Sequence, residues 1–293
     1  MQKYSIFNLI KNAFSNHENW DLAWKDPTPK KEYDVVIIGG GGHGLATAYY
    51  LAKEHNITNV AILEKGWIGG GNVGRNTTII RSNYMHDDNA LFSEFGMDLW
   101  RRMSQDLNYN VMFSPRGIIN LAHSDAQMNT YARRGNSMRL NGIDAELLSR
   151  EQVKEIIPMA DFSENVRFPI FGGLMQPSAG TARHDAVAWG YARQADSMGV
   201  DIIQNCEVTG FDVSGGKIEG VRTSRGDIKV KKIGLCVAGS TNVLADKLNM
   251  TLPVETHLLQ ACVSEPVKPV LDRVVTFGAG HFYISQSDKG EMV

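Results

Sequence analysis

The chain has 293 residues, of which 43% are hydrophobic, and a formal net charge of −2. This composition is typical of a globular protein with a sizeable core, and the balanced charge gives no reason to expect nucleic acid or an acidic membrane surface as a partner. No apolar run reaches the roughly 18 residues that a membrane-spanning helix needs. The three cysteines lie far apart without a CxxC pair. We therefore expect neither a disulfide framework nor a metal site, and a reducing cytoplasm fits best.

The first 30 residues are expected to form a leader arm. They carry several charged side chains and no apolar core, which argues against a signal peptide. Phe7, Ile10 and Phe14 have the spacing of an amphipathic helical turn or two, and Trp20 and Trp24 follow. Two interpretations stay open: the arm holds a partner subunit, or it packs on its own domain.

A βαβ unit follows the leader. The apolar segment 33–38 predicts a strand, 45–53 a helix, and 59–63 a second strand that ends at Glu64. Such a unit opens a parallel sheet. Further helices are predicted at about 88–108, 124–140, 149–157 with a Ser149/Gln152 capping box, and 184–198. Further strands are predicted at 117–122, 201–209, 217–223, 227–230 and 233–237, with a strand-like tail at 252–265 and 274–286.

Gly39-x-Gly41-x-x-Gly44 lies between the first strand and the first long helix. In this motif one glycine permits a tight turn, the next lets backbone approach a pyrophosphate, and the third lets the helix pack against the strand. The helix N-terminus adds unpaired N–H groups and a partial positive charge. Glu64, 20 residues after Gly44, would hold the ribose hydroxyls and disfavour a 2′-phosphate. The alternative is a glycine-rich turn with a surface glutamate.

The order of the later elements favours FAD over NAD. A nicotinamide-binding fold continues with repeated βαβ units, whereas this chain has a long insertion, then antiparallel strands, then an apolar strand that ends at Ala238-Gly239. The predicted fold class is α/β (mixed α+β): a FAD-binding Rossmann-like domain of the glutathione-reductase type, with a second, mixed-sheet substrate domain. We place the leader at 1–30, the FAD domain at 31–110 and 180–250, and the substrate domain at 111–179 and 251–293.

The chain stops at Val293 in what reads as a continuing strand. We therefore expect a C-terminally truncated fragment of a longer protein, with an incomplete substrate domain and no activity on its own.

Five further residues carry candidate chemistry. Asn72, Asn76 and Thr77 follow a glycine-rich stretch and offer polar side chains to a pyrophosphate or a flavin edge. The Arg81 guanidinium could bind a carboxylate through two hydrogen bonds, although a solvated or ion-paired surface arginine is the commoner case. His184 begins a predicted helix, and it is either a structural histidine or an imidazole that bonds covalently to a cofactor. Spacing alone does not decide between these.

Four segments together resemble the beta subunits of heterotetrameric sarcosine oxidases, in the FAD-dependent amine oxidase, or D-amino-acid oxidase-like, superfamily. They are YDVVIIGGGGHGLATAYYLAK, LEKGWIGGGNVGRNTTIIRSNY, RHDAVAWGYAR and VDIIQNCEVTG. The resemblance runs from about residue 20 to 293. The GGGGHG loop, the tryptophan-containing leader and the RHD step favour this family over the monomeric sarcosine oxidases and glycine oxidases.

The resemblance implies an activity that the residue spacing alone does not indicate. Non-covalent FAD would take hydride from sarcosine, giving glycine and a one-carbon unit, and electrons would pass to FMN and then to O2. The FMN would be attached covalently to His184, with Arg183 beside it. The one-carbon unit would leave as formaldehyde or pass to tetrahydrofolate on a partner, in a cytoplasmic heterotetramer with alpha, gamma and delta subunits.

The resemblance also assigns site residues. Arg81 matches the arginine that binds the substrate carboxylate in related amine oxidases, and Tyr283 is a weaker candidate for facing the substrate. The implied FAD contacts are Gly39, Gly41, Gly42, His43, Gly44, Glu64, Lys65, Asn72, Arg75, Asn76, Thr77, Ile79, Val208, Ala238 and Gly239. Two alternatives remain: a related FAD oxidase or dehydrogenase of dimethylglycine, glycine or another small amino acid, and a non-catalytic flavin-bearing subunit.

Overall fold

The computed structural model describes residues 5–18, 22–163 and 165–293. The chain divides into two compact units. The first comprises Met1–Asn76, Gln105–Asn110 and His184–Leu259, and the second comprises Thr77–Ser104, Val111–Arg183 and Gln260–Val293.

Helices and strands alternate along most of the chain. The helices are α1 (Ile6–Phe14), α2 (Gly42–His55), α3 (Asp87–Asp106), α4 (Asp125–Leu140), α5 (Arg150–Ile156), α6 (His184–Ser197) and α7 (Thr241–Ala245). The strands are β1 (Glu32–Ile38), β2 (Val60–Leu63), β3 (Ile79–Ile80), β4 (Ile118–Ala122), β5 (Glu146–Ser149), β6 (Gly172–Gln176), β7 (Gly180–Thr181), β8 (Asp201–Ile203), β9 (Val208–Ser214), β10 (Lys217–Thr223), β11 (Ile228–Leu235), β12 (Val274–Phe277) and β13 (Phe282–Ile284).

The first unit is built on a six-stranded sheet with the order β8-β2-β1-β11-β10-β9. Strands β8, β2, β1 and β11 run parallel, and β10 and β9 add an antiparallel pair. Val36, Ile37 and Ile62 are fully buried, as expected for parallel strands covered on both faces. The chain leaves β1 towards β2 on one side and returns to β11 on the other. The carboxyl end of β1 is therefore a topological switch point, where open parallel sheets bind their ligands.

The second unit contains a five-stranded sheet with the order β13-β12-β4-β6-β5 and the short antiparallel ladder β3-β7. Helix α5 contributes Val153 to a core cluster with Ile119 of β4 and Met175 of β6. Helix α4 contributes Met138 to a neighbouring cluster with Leu174. Leu174 and Met175 are neighbours in β6 and point to opposite faces of the sheet, so α4 and α5 cover different faces.

Many predicted elements agree with the structure. The mixed α/β fold class is confirmed, and so is the capping box at α5, where Ser149 and Gln152 each bond the other's backbone. Four predicted strands were wrong in extent. The segment 274–286 forms two strands, β12 and β13, that pair antiparallel across a turn. The segment 201–209 is broken after Ile203, because Asn205 adopts a left-handed conformation (φ 50°) and bonds to Gly66. The predicted strands at 227–230 and 233–237 form one strand, β11.

The predicted strand at 252–265 is absent from the described part of the chain. Its apolar side chains are largely exposed, including Leu258 at 95% and Leu259 at 93%. No neighbouring strand pairs with it among the described residues. Local β-propensity alone therefore did not make this segment a strand.

The two units do not follow the predicted boundaries throughout, since 77–104 lies with the second unit and not with 31–76. Assigning one unit to FAD and the other to substrate stays a prediction.

The leader arm contains α1, which has no buried residue, and a segment fixed to the first unit. The N–H of Lys25 donates to Asp196 (2.9 Å), and Asp26 forms an ion pair with Arg225 (3.0 Å). The later part of the arm thus packs on its own unit. Trp20 lies outside the described residues.

Candidate functional site

The glycines between β1 and α2 are required by the local geometry. Gly39 has φ +108°, and a Cβ there would lie 2.3 Å from the carbonyl oxygen of Cys236. A Cβ at Gly44 would lie 2.0 Å from the carbonyl oxygen of Gly39, so only glycine lets the helix approach the strand this closely. Around Gly41, in contrast, nothing lies within 4 Å of a Cβ position. The loop is tight at both ends and open at its middle.

The N-terminus of α2 has the form of an anion site. Gly41 is the N-cap residue, and no side chain bonds to the helix end. The first intrahelical bond runs from the N–H of Leu45 to the carbonyl of Gly41 (3.0 Å). The earlier N–H groups of an α-helix have no intrahelical partner, and they bring the positive end of the helix dipole. A diphosphate fits this cradle, with Gly42, the exposed His43 and Gly44 contributing backbone amides.

Glu64 lies beside the cradle at the end of β2. Its Oε2 accepts the N–H of Gly40 at 2.8 Å and its Oε1 accepts the N–H of Gly66 at 2.9 Å. These two bonds fix the carboxylate and leave further lone pairs on both oxygens. A ribose diol could donate to those lone pairs, as expected for the acid of a dinucleotide site. Lys65, next in sequence, is exposed.

The segment after Glu64 is also wound tightly. A Cβ at Gly74 would lie 2.1 Å from the carbonyl oxygen of Gly69, which itself has φ +85°. The 3₁₀ turn Asn72–Arg75 follows, and the side chain of Asn76 donates to the carbonyl of Val73 at 2.8 Å. The Asn76 amide therefore stabilises the turn, while the side chains of Asn72 and Arg75 are exposed.

A third backbone segment reaches the same edge of the sheet. The N–H of Cys236 donates to the carbonyl of Ile38 (2.8 Å), and a 3₁₀ turn, Ala238–Ser240, follows with φ +46° at Ala238. Gly39 packs directly on Cys236, and Ala238 and Gly239 follow Cys236 in the chain. Burial raises the pKa of the Cys236 thiol, against a smaller opposite effect of its hydrogen bond with Thr47.

Val208 begins β9, and its side chain belongs to the core cluster of the first unit. A contact to a ligand would therefore have to come from its backbone.

In the second unit Arg81 follows β3 directly. Its Nη1 donates to Oδ1 of Asn83 at 2.6 Å, and its guanidinium lies 4.5 Å from the centre of the Tyr84 ring. Arg81 makes no ion pair with a carboxylate of the described residues, so its charge is available to an anion. Ile79, in β3, pairs with Thr181 of β7.

Two other predicted residues of the second unit have defined partners. The hydroxyl of Thr77 donates to the hydroxyl of Tyr283 at 3.0 Å, which holds the half-exposed phenol in place. Arg183 forms an ion pair with Asp288 at 3.0 Å. The structure thus brings Thr77 and Tyr283 together, although they are far apart in sequence.

His184 is the first residue of α6 in the first unit. Its Nδ1 is buried without a hydrogen-bond partner and lies 4.0 Å from Oδ1 of Asp185, while the side chain as a whole is 31% exposed. A buried ring nitrogen without a partner is uncommon in a histidine that serves only structure.

Sequence reasoning missed four contributors. The amides of Gly40 and Gly66 anchor Glu64, and Asn83 and Arg134 surround Arg81. The sequence offered a signal only for Asn83, which lies two residues after Arg81.

The part of the chain that the structure describes contains neither a candidate membrane-spanning helix nor a cluster of metal-binding side chains. None of its helices is long and apolar enough to span a membrane. Within the same residues, no three His, Cys, Asp or Glu side chains come together as metal ligands would.

Comparisons with known proteins agree with this geometry. The model of the DAO family, FAD dependent oxidoreductase, matches residues 34–293. The sarcosine oxidase subunit beta of Rhizobium meliloti (strain 1021) is 60% identical over 291 residues, which are 99% of this chain and 70% of that protein. The sarcosine oxidase subunit beta of Rhodobacter capsulatus is 52% identical over 293 residues, which are 100% of this chain and 70% of that protein.

The fold has solved counterparts as well. The crystal structure of L-proline dehydrogenase from P. horikoshii superposes with a TM-score of 0.80 at 26% identity, over 90% of this chain and 69% of that one. The FAD-binding fold class predicted from the glycine motif is confirmed by the family match. The chain is therefore a FAD-dependent oxidoreductase, and it belongs to the family of the sarcosine oxidase beta subunits.

Proposed function

We propose that this chain is the FAD-bearing subunit that oxidises sarcosine, N-methylglycine, to glycine and a one-carbon unit. The observation that carries the proposal is the glycine cradle with its anchored Glu64, in a chain 60% identical to a sarcosine oxidase subunit beta. FAD, when bound, supplies the chemistry by accepting a hydride from the C–H bond of the N-methyl group. The protein contributes binding, orientation and electrostatics.

Residues of the first unit would hold the FAD. Backbone amides at Gly41–Gly44 would bind the diphosphate, and Glu64 the ribose. Further FAD contacts are proposed at Lys65, Asn72, Arg75, Asn76 and, through backbone, Val208, Ala238 and Gly239. In the second unit, Thr77 and Ile79 are the proposed FAD contacts.

Two residues of the second unit would act on the substrate. Arg81 has an uncompensated guanidinium, and its fork suits the carboxylate of an amino acid. Tyr283 would face the substrate with its hydroxyl held by Thr77.

A covalent FMN at His184, with Arg183 beside it, is the second part of the proposal. The unpartnered Nδ1 of His184 supports a role beyond structure. Electrons would then pass from FAD to FMN and to O2. The one-carbon unit would appear as formaldehyde, or as methylene-tetrahydrofolate on a partner, in a cytoplasmic heterotetramer with alpha, gamma and delta subunits.

Two other functions are kept as outcomes of the test. The first is oxidation of another small or N-methyl amino acid, such as dimethylglycine or glycine. The second is a flavin-bearing subunit without catalysis.

Anaerobic mixing of the full-length, assembled protein with each amino acid tests the proposal. Sarcosine should bleach the visible flavin band faster than dimethylglycine or glycine does. A faster response to either of those would transfer the proposal to that substrate, and no bleaching with any of them would favour the non-catalytic subunit.

A further inference from the structure

Arg81 lies in a cluster with an excess of positive charge. Arg134, on α4, directs Nε to the carbonyl of Asn83 at 2.7 Å and donates to the same carbonyl through Nη2. Neither Arg81 nor Arg134 is within ion-pair distance of a carboxylate in the residues that the structure describes. Burial, and then the charge of Arg81, lower the pKa of Arg134. Two cations held close without an acid favour the binding of an anion.

Asn83 connects the two arginines. Its side-chain Oδ1 accepts from Arg81, and its backbone carbonyl accepts from Arg134. The orientation of the amide follows from the chemistry, because the flipped amide would place its NH2 group against the Arg81 donor. The cluster is therefore a chain of contacts in which Arg134 fixes the backbone of Asn83, and Asn83 fixes one branch of the Arg81 fork.

Asn83 is a poor choice for stability alone. The residue is fully buried, and its Nδ2 has no hydrogen-bond partner in the described structure. Leaving a buried donor unsatisfied costs folding free energy. Since an apolar side chain of similar shape would avoid that cost, the bond from Arg81 to Oδ1 is what the asparagine provides.

Helix α4 also holds the rest of this segment. The hydroxyl of Ser137 donates to the carbonyl of Met85 at 2.8 Å, and the amide of Asn141 donates to Asp87 at 2.9 Å. Arg134, Ser137 and Asn141 are spaced three and four residues apart, so they lie on one face of the helix. Ser137 thus offers a comparison for Arg134, because both bond to backbone carbonyls of the same segment but only Arg134 bonds at Asn83.

We propose that Asn83 and Arg134 are positioning residues for Arg81, and that they present its remaining N–H groups to the carboxylate of a small amino acid. Arg134 additionally raises the positive potential that the carboxylate meets. This inference rests on the proposed function insofar as Arg81 binds the substrate carboxylate. It predicts that ligands without a carboxylate gain nothing from Asn83 or Arg134.

Acetate is the probe, because it carries a carboxylate and no amine. Its dissociation constant is measured by isothermal titration calorimetry on the full-length, assembled holoenzyme, for wild type, Asn83→Asp, Arg134→Met and Arg134→Lys. Asn83→Asp keeps the shape but places an acid against Arg81. We expect this variant and Arg134→Met to weaken acetate binding about tenfold or more, as for the loss of a hydrogen bond to a charged group. Arg134→Lys should recover part of the loss, since it keeps the charge.

The same variants should raise KM for sarcosine by a similar factor and leave kcat within about twofold, since uniform binding affects KM alone. Ser137→Ala and Arg133→Met, on the same helix, are the matched controls and should leave the acetate dissociation constant unchanged. Thermal unfolding of each variant checks that it is folded.

Two results would overturn the inference. One is wild-type acetate binding by folded Asn83→Asp and Arg134→Met. The other is an equal loss in Ser137→Ala, which would make Arg134 a general clamp of the segment. If sarcosine is not oxidised but acetate binding responds as expected, the proposed function fails while the positioning of Arg81 stands.

Discussion

The carboxylate of Glu64 is bonded to the backbone of Gly40, with 2.8 Å between Oε2 and the amide nitrogen. The acid and the phosphate cradle are therefore one assembly, although they come from the ends of two different strands. The bond also holds the loop that precedes α2.

Glu64→Gln should weaken FAD binding about tenfold or more. The amide keeps the shape, but its NH2 group would face either the Gly40 or the Gly66 N–H, so one of two backbone bonds is lost along with the charge. Fluorescence titration of the full-length apoprotein with FAD measures this. Glu54→Gln, at an exposed position of α2, is the control, and equal FAD affinity in the two variants would contradict the role of Glu64.

Gly41→Ala and Gly44→Ala should affect folding stability and FAD binding differently. The methyl group of Gly44→Ala would collide with the Gly39 carbonyl at 2.0 Å, so we expect a loss of folding stability and of FAD together. The methyl group of Gly41→Ala meets nothing within 4 Å, so stability should persist while FAD binding falls. Thermal unfolding of the apoproteins and FAD titration separate the two. Wild-type FAD affinity in Gly41→Ala would exclude close approach of the diphosphate at that residue.

Arg81→Ala should raise KM for sarcosine by about a hundredfold, because a bidentate, charge-assisted contact is lost. Arg81→Lys keeps the charge but not the planar fork, so its KM should lie between those of the alanine variant and wild type. Steady-state kinetics of the full-length assembly gives both values. A KM for sarcosine that is unchanged in Arg81→Ala would remove Arg81 from the substrate site.

His184→Ala should abolish covalent flavin. Acid precipitation of the wild-type full-length chain should leave flavin fluorescence on the polypeptide, whereas the variant should release all of it to the supernatant. Fluorescence of the washed pellet makes the measurement. Release of all flavin by the wild type as well would mean that the chain carries no covalent FMN.

The cysteines should differ in their reaction with iodoacetamide at pH 8. Cys262 is exposed, Cys206 is buried, and burial raises the pKa of Cys236. A raised pKa lowers the thiolate fraction at a given pH, and the thiolate is the nucleophile. Alkylation followed by mass spectrometry should therefore find Cys262 modified first. The rate of modification of Cys236 should increase as the pH rises. Modification of Cys236 before Cys262 would contradict the partial burial of Cys236 beside Gly39.

By itself the sequence determined the features that neighbouring residues encode. The glycine spacing at Gly39–Gly44 requires a tight strand-to-helix corner, and the capping box at Ser149 needs only four consecutive residues. The break at Asn205 was missed because the segment 201–209 contains no glycine or proline to signal an interruption, whereas a backbone contact to Gly66 decides it.

Only the tertiary structure decided which distant groups meet. It bonded Glu64 to the amide of Gly40, paired Thr77 with Tyr283, and placed Arg134 on Asn83, 51 residues away. Local patterns are set by backbone sterics and periodicity, which the sequence carries directly. Contacts across the fold depend on strand order and helix packing, and these are settled by burial of the whole core.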